Sequence, residues 1–259
     1  MKQKLLIPFL FLAFGCAYND VKVNAVNPTR LQSEEYLTYD ATALPAGFVA
    51  SFKKTYYYEQ NRLIRIDASD YNPITHSYDA GYKVEEYHYT SDGKLSQKIE
   101  FLGTTGSSWV EDYEYLDATT TKVTRYESLV NGSKSQPDWW IMEKTPTTLT
   151  VKYYQLNNEL YQQMICDIDA QGNMISISGD PTFPAGKIYF KFDSAPNPYQ
   201  FPELSGEYGL EAQKYLSANN LVESSNDLNL KSTRTMEYNA NGYPVTITTL
   251  TSKTILTYQ

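Results

Sequence analysis

Histidine and cysteine are scarce in this chain, two of each among 259 residues. His76 and His88 lie far in sequence from Cys16 and Cys166, and no cluster of these residues has zinc-ligand spacing. Asp167-Ile168-Asp169 lacks the glycine and the terminal glutamate of a calcium loop. No metal or other cofactor is therefore expected. Basic residues are also few, 22 against 30 acids, for a net charge of -8. Nucleic acid, whose phosphates require a basic surface, is excluded as a partner, and so is electrostatic docking on an anionic membrane. There is no G-x-S-x-G and no phosphate-cradling glycine loop, and no catalytic residue is nominated.

The chain also lacks an apolar run long enough to span a bilayer as a helix. Its N-terminal one, Leu5 to Phe14, is short, follows Lys2 and Lys4, and ends at Gly15-Cys16. A charged start, a short apolar stretch and a small residue at the boundary make a signal peptide over 1–15. A cysteine just after that boundary resembles the lipobox of bacterial lipoproteins, although Ala13 stands where a leucine is usual. The resemblance implies a lipidated Cys16 and attachment to the outer membrane of the cell envelope, on either its periplasmic or its outer side. Residues 16–47 then read as lipidated N-terminus, tether and lead-in, and 48–259 as one domain. With Cys16 acylated, Cys166 has no intramolecular partner and reads as a small buried hydrophobe.

Tyrosine is abundant, with 24 residues against 10 Phe and 3 Trp. Its ring can pack inward while its hydroxyl stays wet, which suits strands of a soluble sheet. Segments of two-residue period recur on either side of turn residues. Tyr87-His88-Tyr89, Ser91-Asp92-Gly93 and Leu95 to Phe101 form one such unit; Phe52 to Ile66, Trp109 to Tyr126, Trp139 to Tyr154, Leu160 to Ile177 and Met236 to Leu250 form others. Gly93, Gly172 and Gly242 fall where hairpin loops need positive φ. The fold class expected is all-β: an antiparallel meander of hairpins making a large curved sheet, half-barrel or open barrel. One short helix is expected near 210–217, where Leu210, Lys214, Tyr215 and Leu216 share a face.

These hairpins resemble the tyrosine-rich YD repeats of RHS-type shells. They are similar, more closely, to a group of uncharacterised Bacteroidota outer-membrane lipoproteins in which an Asn-Pro-aromatic segment and a later Asn-Asn pair interrupt the strands. The matching residues are Asn197-Pro198-Tyr199, Asn219-Asn220 and Tyr238 to Pro244. The resemblance implies location and fold, and brings no activity with it.

Function is then expected where the hairpin pattern breaks. Neighbouring strand residues point to opposite faces, so one of Trp139 and Trp140 belongs to the core and the other is available to stack on a ligand. Trp139, Trp140 and Tyr199 are the candidate ligand-binding residues. The expected role is non-enzymatic binding or scaffolding with a glycan or envelope-protein partner. The alternatives are a carrier of a hydrophobic ligand in a half-barrel cavity and a carbohydrate-active enzyme using acid pairs such as Glu85-Glu86, Glu111-Asp112 or Asp167 with Asp169.

Overall fold

The computed structural model describes residues 30–42, 46–179, 186–201 and 212–259. The signal segment, Cys16 and the tether lie outside the described residues. Eighteen strands form the sheet: β1 (Leu31–Asp40), β2 (Gly47–Glu59), β3 (Arg62–Asn72), β4 (Ser77–Tyr78), β5 (Tyr82–Tyr89), β6 (Leu95–Phe101), β7 (Ser108–Tyr115), β8 (Thr120–Ser128), β9 (Asp138–Lys144), β10 (Thr148–Tyr154), β11 (Leu160–Ile168), β12 (Met174–Ser178), β13 (Lys187–Pro196), β14 (Asn219–Asn226), β15 (Lys231–Thr233), β16 (Thr235–Tyr238), β17 (Pro244–Thr248) and β18 (Ser252–Tyr258). Helix α1 (Ala212–Leu216) is the short helix expected, and Gly103–Thr105 forms a 3-10 turn.

Every pairing is antiparallel, and the sheet curls until β18 meets β1, which also pairs with β2. The result is a nearly closed barrel with one unsealed seam. The seam lies where one strand changes partners. β15 pairs with β14 and, one residue later, β16 pairs with β17, so no ladder joins β14 to β16. The last ladder-like bond on that side runs from Arg234 N–H to the Val222 carbonyl at 2.8 Å. β1 is an addition to the sequence reading. Its LQSEEYLTYD shows no alternation because it is bulged in its pairing with each neighbour, between Leu31 and Ser33 and again between Tyr36 and Leu37.

One turn recurs at both ends of the barrel. In residues 90–94, 129–133, 155–159, 169–173, 226–230 and 239–243, the first residue's N–H donates to the fifth residue's carbonyl and the fourth N–H donates back to the first carbonyl. The fourth residue takes positive φ: Gly93 90°, Gly132 80°, Asn158 66°, Gly172 87°, Asn229 58° and Gly242 82°. This is a three-residue hairpin loop built on a type I turn with a left-handed residue closing it. The side chains of Thr90, Asp169, Asn226 and Asn239 each accept the fifth N–H, which fixes the loop further. The last hairpin is shorter than its apolar residues imply: β17 stops at Thr248 because Thr249 Oγ1 accepts the Ser252 N–H and bends the chain, leaving Leu250 92% exposed.

The two ends of the barrel differ. Arg30 and Gln259 pair backbone to backbone at one end, together with the polar tips Gln60-Asn61, Ser91-Asp92, Ala170-Gln171 and Ala240-Asn241. The opposite rim carries Ile74, Val130, Leu156, Leu228 and Leu250 on its tips, all exposed. Leu116 is an exposed leucine on the first end.

The interior is packed. One cluster gathers Val123, Trp140, Leu149, Val151, Met164, Cys166 and Ile177; a second gathers Leu31, Tyr56, Leu63, Tyr87, Leu95, Tyr199 and Phe201, and Tyr113 touches both. Alternation places the intervening residues on the outer wall. There Lys152 pairs with Glu143 at 2.7 Å, Lys187 with Asp167 at 2.6 Å, and Lys191 with Glu223 at 2.9 Å. A wall carrying such pairs in mid-strand is built for water, since each lysine would cost about 2–4 kcal/mol at a bilayer midplane. No described helix is long and apolar enough to cross a membrane.

Candidate functional site

The break in the wall has a cavity behind it. Asn220 and Leu221 of β14 form one bank, Arg234 and Met236 the other, and Gln213 and Lys214 of α1 close the inner side, around a volume of about 250 Å³. A second hollow of about 420 Å³ shares Gln213, Leu221 and Arg234 with the first and continues along β13 and β14 past Phe190 and Ser224. The two make one groove that follows the seam. The Ser217 N–H donates to the Gln213 carbonyl, so the helix is a single tight turn.

Short as it is, α1 is fixed by side chains from either flank. Asn197 Nδ2 donates to the carbonyls of Lys214 at 2.7 Å and Ser217 at 2.8 Å, satisfying the helix's C-terminal acceptors. Ser217 Oγ accepts the Met174 N–H, and Asn220 Nδ2 reaches both oxygens of Asp193. From across the seam, the Tyr238 hydroxyl donates to the same Asp193 carboxylate. Burial together with that carboxylate pushes the Tyr238 hydroxyl well above its ordinary pKa, so it remains a donor.

Beneath the helix lies a buried acid. Glu34 is fully buried on β1 and accepts from the Tyr56 hydroxyl at 2.6 Å and the Tyr199 hydroxyl at 2.5 Å. Burial alone would raise its pKa. The nearby charges of Lys214 and Lys54 and the two hydroxyls outweigh it, holding the carboxyl below its usual range. Lys214 Nζ stands 3.8 Å from Glu34 and 4.0 Å from the centroid of the Tyr199 ring, and makes no hydrogen bond among the described residues. The Gln213 side chain is equally unspent: the residue is 6% exposed, it lines the cavity, and its amide makes no hydrogen bond among the described residues. Both groups can therefore turn to an incoming polar ligand.

No family model and no curated protein matches this chain. Among the solved structures it is similar to are three from Bacteroides. A porin-like protein from Bacteroides uniformis ATCC 8492 is 11% identical, with 90% of this chain and 99% of that one covered and a TM-score of 0.39. A porin-like protein from Bacteroides vulgatus ATCC 8482 is 10% identical over 89% and 99%, with a TM-score of 0.38. A protein of unknown function from Bacteroides fragilis NCTC 9343 is 12% identical over 55% and 82%, with a TM-score of 0.24.

The residues singled out from sequence fall in three places. Trp140 is 2% exposed and belongs to the core. Trp139 is on the outer wall, where Tyr154 from β10 stacks on it at 4.1 Å and Lys122 from β8 reaches over it at 5.1 Å. The ring is half-buried, with one face covered by Tyr154 and a lysine over it from the other neighbouring strand. Tyr199 is 6% exposed, with its hydroxyl on Glu34, and also lines the seam cavity. The acid pairs do not converge: Glu85 pairs inward with Lys98 and Glu86 with Lys83, while Asp167 binds Lys187 and Ser176, and Asp169 closes its own turn. Among the described residues no three potential ligands gather as a metal site. Sequence reading missed Gln213, Arg234 and Glu34 as site residues. The broken pattern from Pro196 to Asn220 was the signal that pointed to the region.

Proposed function

We propose that this is a lipid-anchored, non-enzymatic binding protein of the outer membrane, and that its ligand is a glycan or similar hydroxyl-rich molecule held in the seam groove. The observation that carries this reading is the pair of unspent donors, the Gln213 amide and the Lys214 ammonium, turned to a cavity at the one gap in the wall. Their polarity speaks against a hydrophobic-ligand carrier, whose pocket needs a dry apolar lining. No carboxylate is among the described residues that line the cavity, whereas glycoside hydrolysis requires two. The Asn197-Pro198-Tyr199 and Asn219-Asn220 segments, which carry the likeness to Bacteroidota lipoproteins with YD-like hairpins, both border the groove: Asn197 holds the Lys214 carbonyl of α1, and the Asn220 N–H donates to Asp193 of β13.

Attachment through Cys16 rests on Lys2, Lys4, the apolar run to Phe14 and Gly15. Cells fed a labelled fatty acid should incorporate it into the protein and fail to do so in a Cys16→Ser variant; equal labelling of both would defeat the anchor. For the ligand, the purified protein is screened against arrays of glycans and of lipids. Retention of glycans that is lost in Gln213→Leu is the expected result, and retention of lipids alone would restore the carrier.

A further inference from the structure

We infer that the seam cavity receives the carboxylate-bearing end of a sugar acid, a hexuronate unit or a close chemical equivalent. This rests on the seam being a ligand site and goes on to name its chemistry. Among the described residues lining the cavity, Lys214 and Arg234 are cations and none is an acid. The Glu34 carboxylate beside Lys214 has one oxygen on the Tyr56 hydroxyl and the other on the Tyr199 hydroxyl. At 3.8 Å from Glu34 the Lys214 ammonium feels its charge without a hydrogen bond to it. A ligand carboxylate can therefore take hydrogen bonds from Lys214 without breaking the buried node below it, and such charge-assisted bonds are the stronger kind.

The rest of the lining fits the hydroxylated remainder of such a ligand. The Gln213 amide offers both a donor and an acceptor, which suits a hydroxyl, and Thr254 and Asn220 add polar groups nearby. The Ile247 and Met236 side chains supply an apolar patch for the C–H face of a ring. At about 250 Å³ the cavity is sized for one ring, roughly the space of eight waters. The adjoining hollow beside Ser224, Ser225 and Ser232 gives a second unit of an oligosaccharide somewhere to continue.

Calorimetric titration of the purified protein with D-glucuronate, D-galacturonate, D-glucose and inorganic phosphate tests this. A uronate is expected to bind about tenfold or more tightly than glucose, with an advantage that shrinks as salt rises. Gln213→Leu, which leaves the Glu34 node untouched, should weaken uronate binding about tenfold, and Lys214→Met should do so at least as strongly with a melting curve confirming the fold. If glucose binds as tightly as the uronates, the seam site stands and the acid assignment falls. If phosphate binds more tightly than either uronate, the sugar part is wrong. Absence of binding by every probe overturns both the assignment and the seam as a ligand site.

Discussion

At the scale of single residues, Glu34 shows how a side chain's surroundings reverse what its neighbours in sequence imply. Ser33-Glu34-Glu35 looks like a solvated stretch, yet the partners that bury Glu34 come from 22 and 165 residues away. No local pattern reports such contacts. Folding lowers the Glu34 pKa below its ordinary 4.5. Its stabilisation is therefore fully present above that value and is lost as the pH falls through the lower, folded pKa. Glu34→Gln should cost about 3 kcal/mol at pH 7 in chemical denaturation, and the gap from the parent should narrow below pH 4. The turn glycines were legible, because Asp-Gly and Asn-Gly need a left-handed residue for a stated reason. Their individual weights were not. A Cβ on Gly242 meets nothing within 4 Å, whereas on Gly179 it would stand 2.2 Å from the Gln163 carbonyl oxygen. Thermal melts should accordingly show Gly242→Ala costing about 1 kcal/mol and Gly179→Ala roughly 3 kcal/mol.

At the scale of elements, most hairpins could be read directly, since one buried face leaves a two-residue period and the turns punctuate it. Two features could not. β1 hides its alternation behind two bulges, and the partner change between β15 and β16 depends on what lies on either side, which the sequence of the strand does not encode. Asn157-Asn158 reads as a turn, but that Asn158, like Asn229, closes the same turn that Gly93 closes is not legible, because asparagine tolerates positive φ without advertising it. The seam is correspondingly lightly held. Beyond Arg234, the bond from Tyr238 to Asp193 ties β16 to the far bank. Tyr238→Phe removes it at a cost of about 1 kcal/mol. Amide hydrogen exchange should rise in β16 and in Asn219 to Val222 while the β7 to β11 wall stays protected; uniform loosening would mean that the seam is no weaker than the rest.

At the scale of the molecule, the barrel wears one turn at both ends with different tips. The turns that carry Leu156 and Leu228 have the geometry of those that carry Ala170-Gln171 and Ala240-Asn241, so apolar residues are not needed to make it. Replacing Val130, Leu156 and Leu228 together by serine should leave the melting temperature nearly unchanged, because exposed substitutions shift stability by about 0.5 kcal/mol or less. Sedimentation at rising concentration should show less self-association than in the parent, and an unchanged profile would mean that the rim does not drive contacts. The same antiparallel count that separates these rims also returns the last strand to the place where the first begins. Arg30 and Gln259 exchange both backbone hydrogen bonds, at 3.0 and 3.3 Å. Topologically the folded body is a ring with a nick in it. A short bridge could join those residues and the chain could be reopened at the exposed tip around Leu250, giving a permuted protein with the same walls, the same seam and a different order of synthesis.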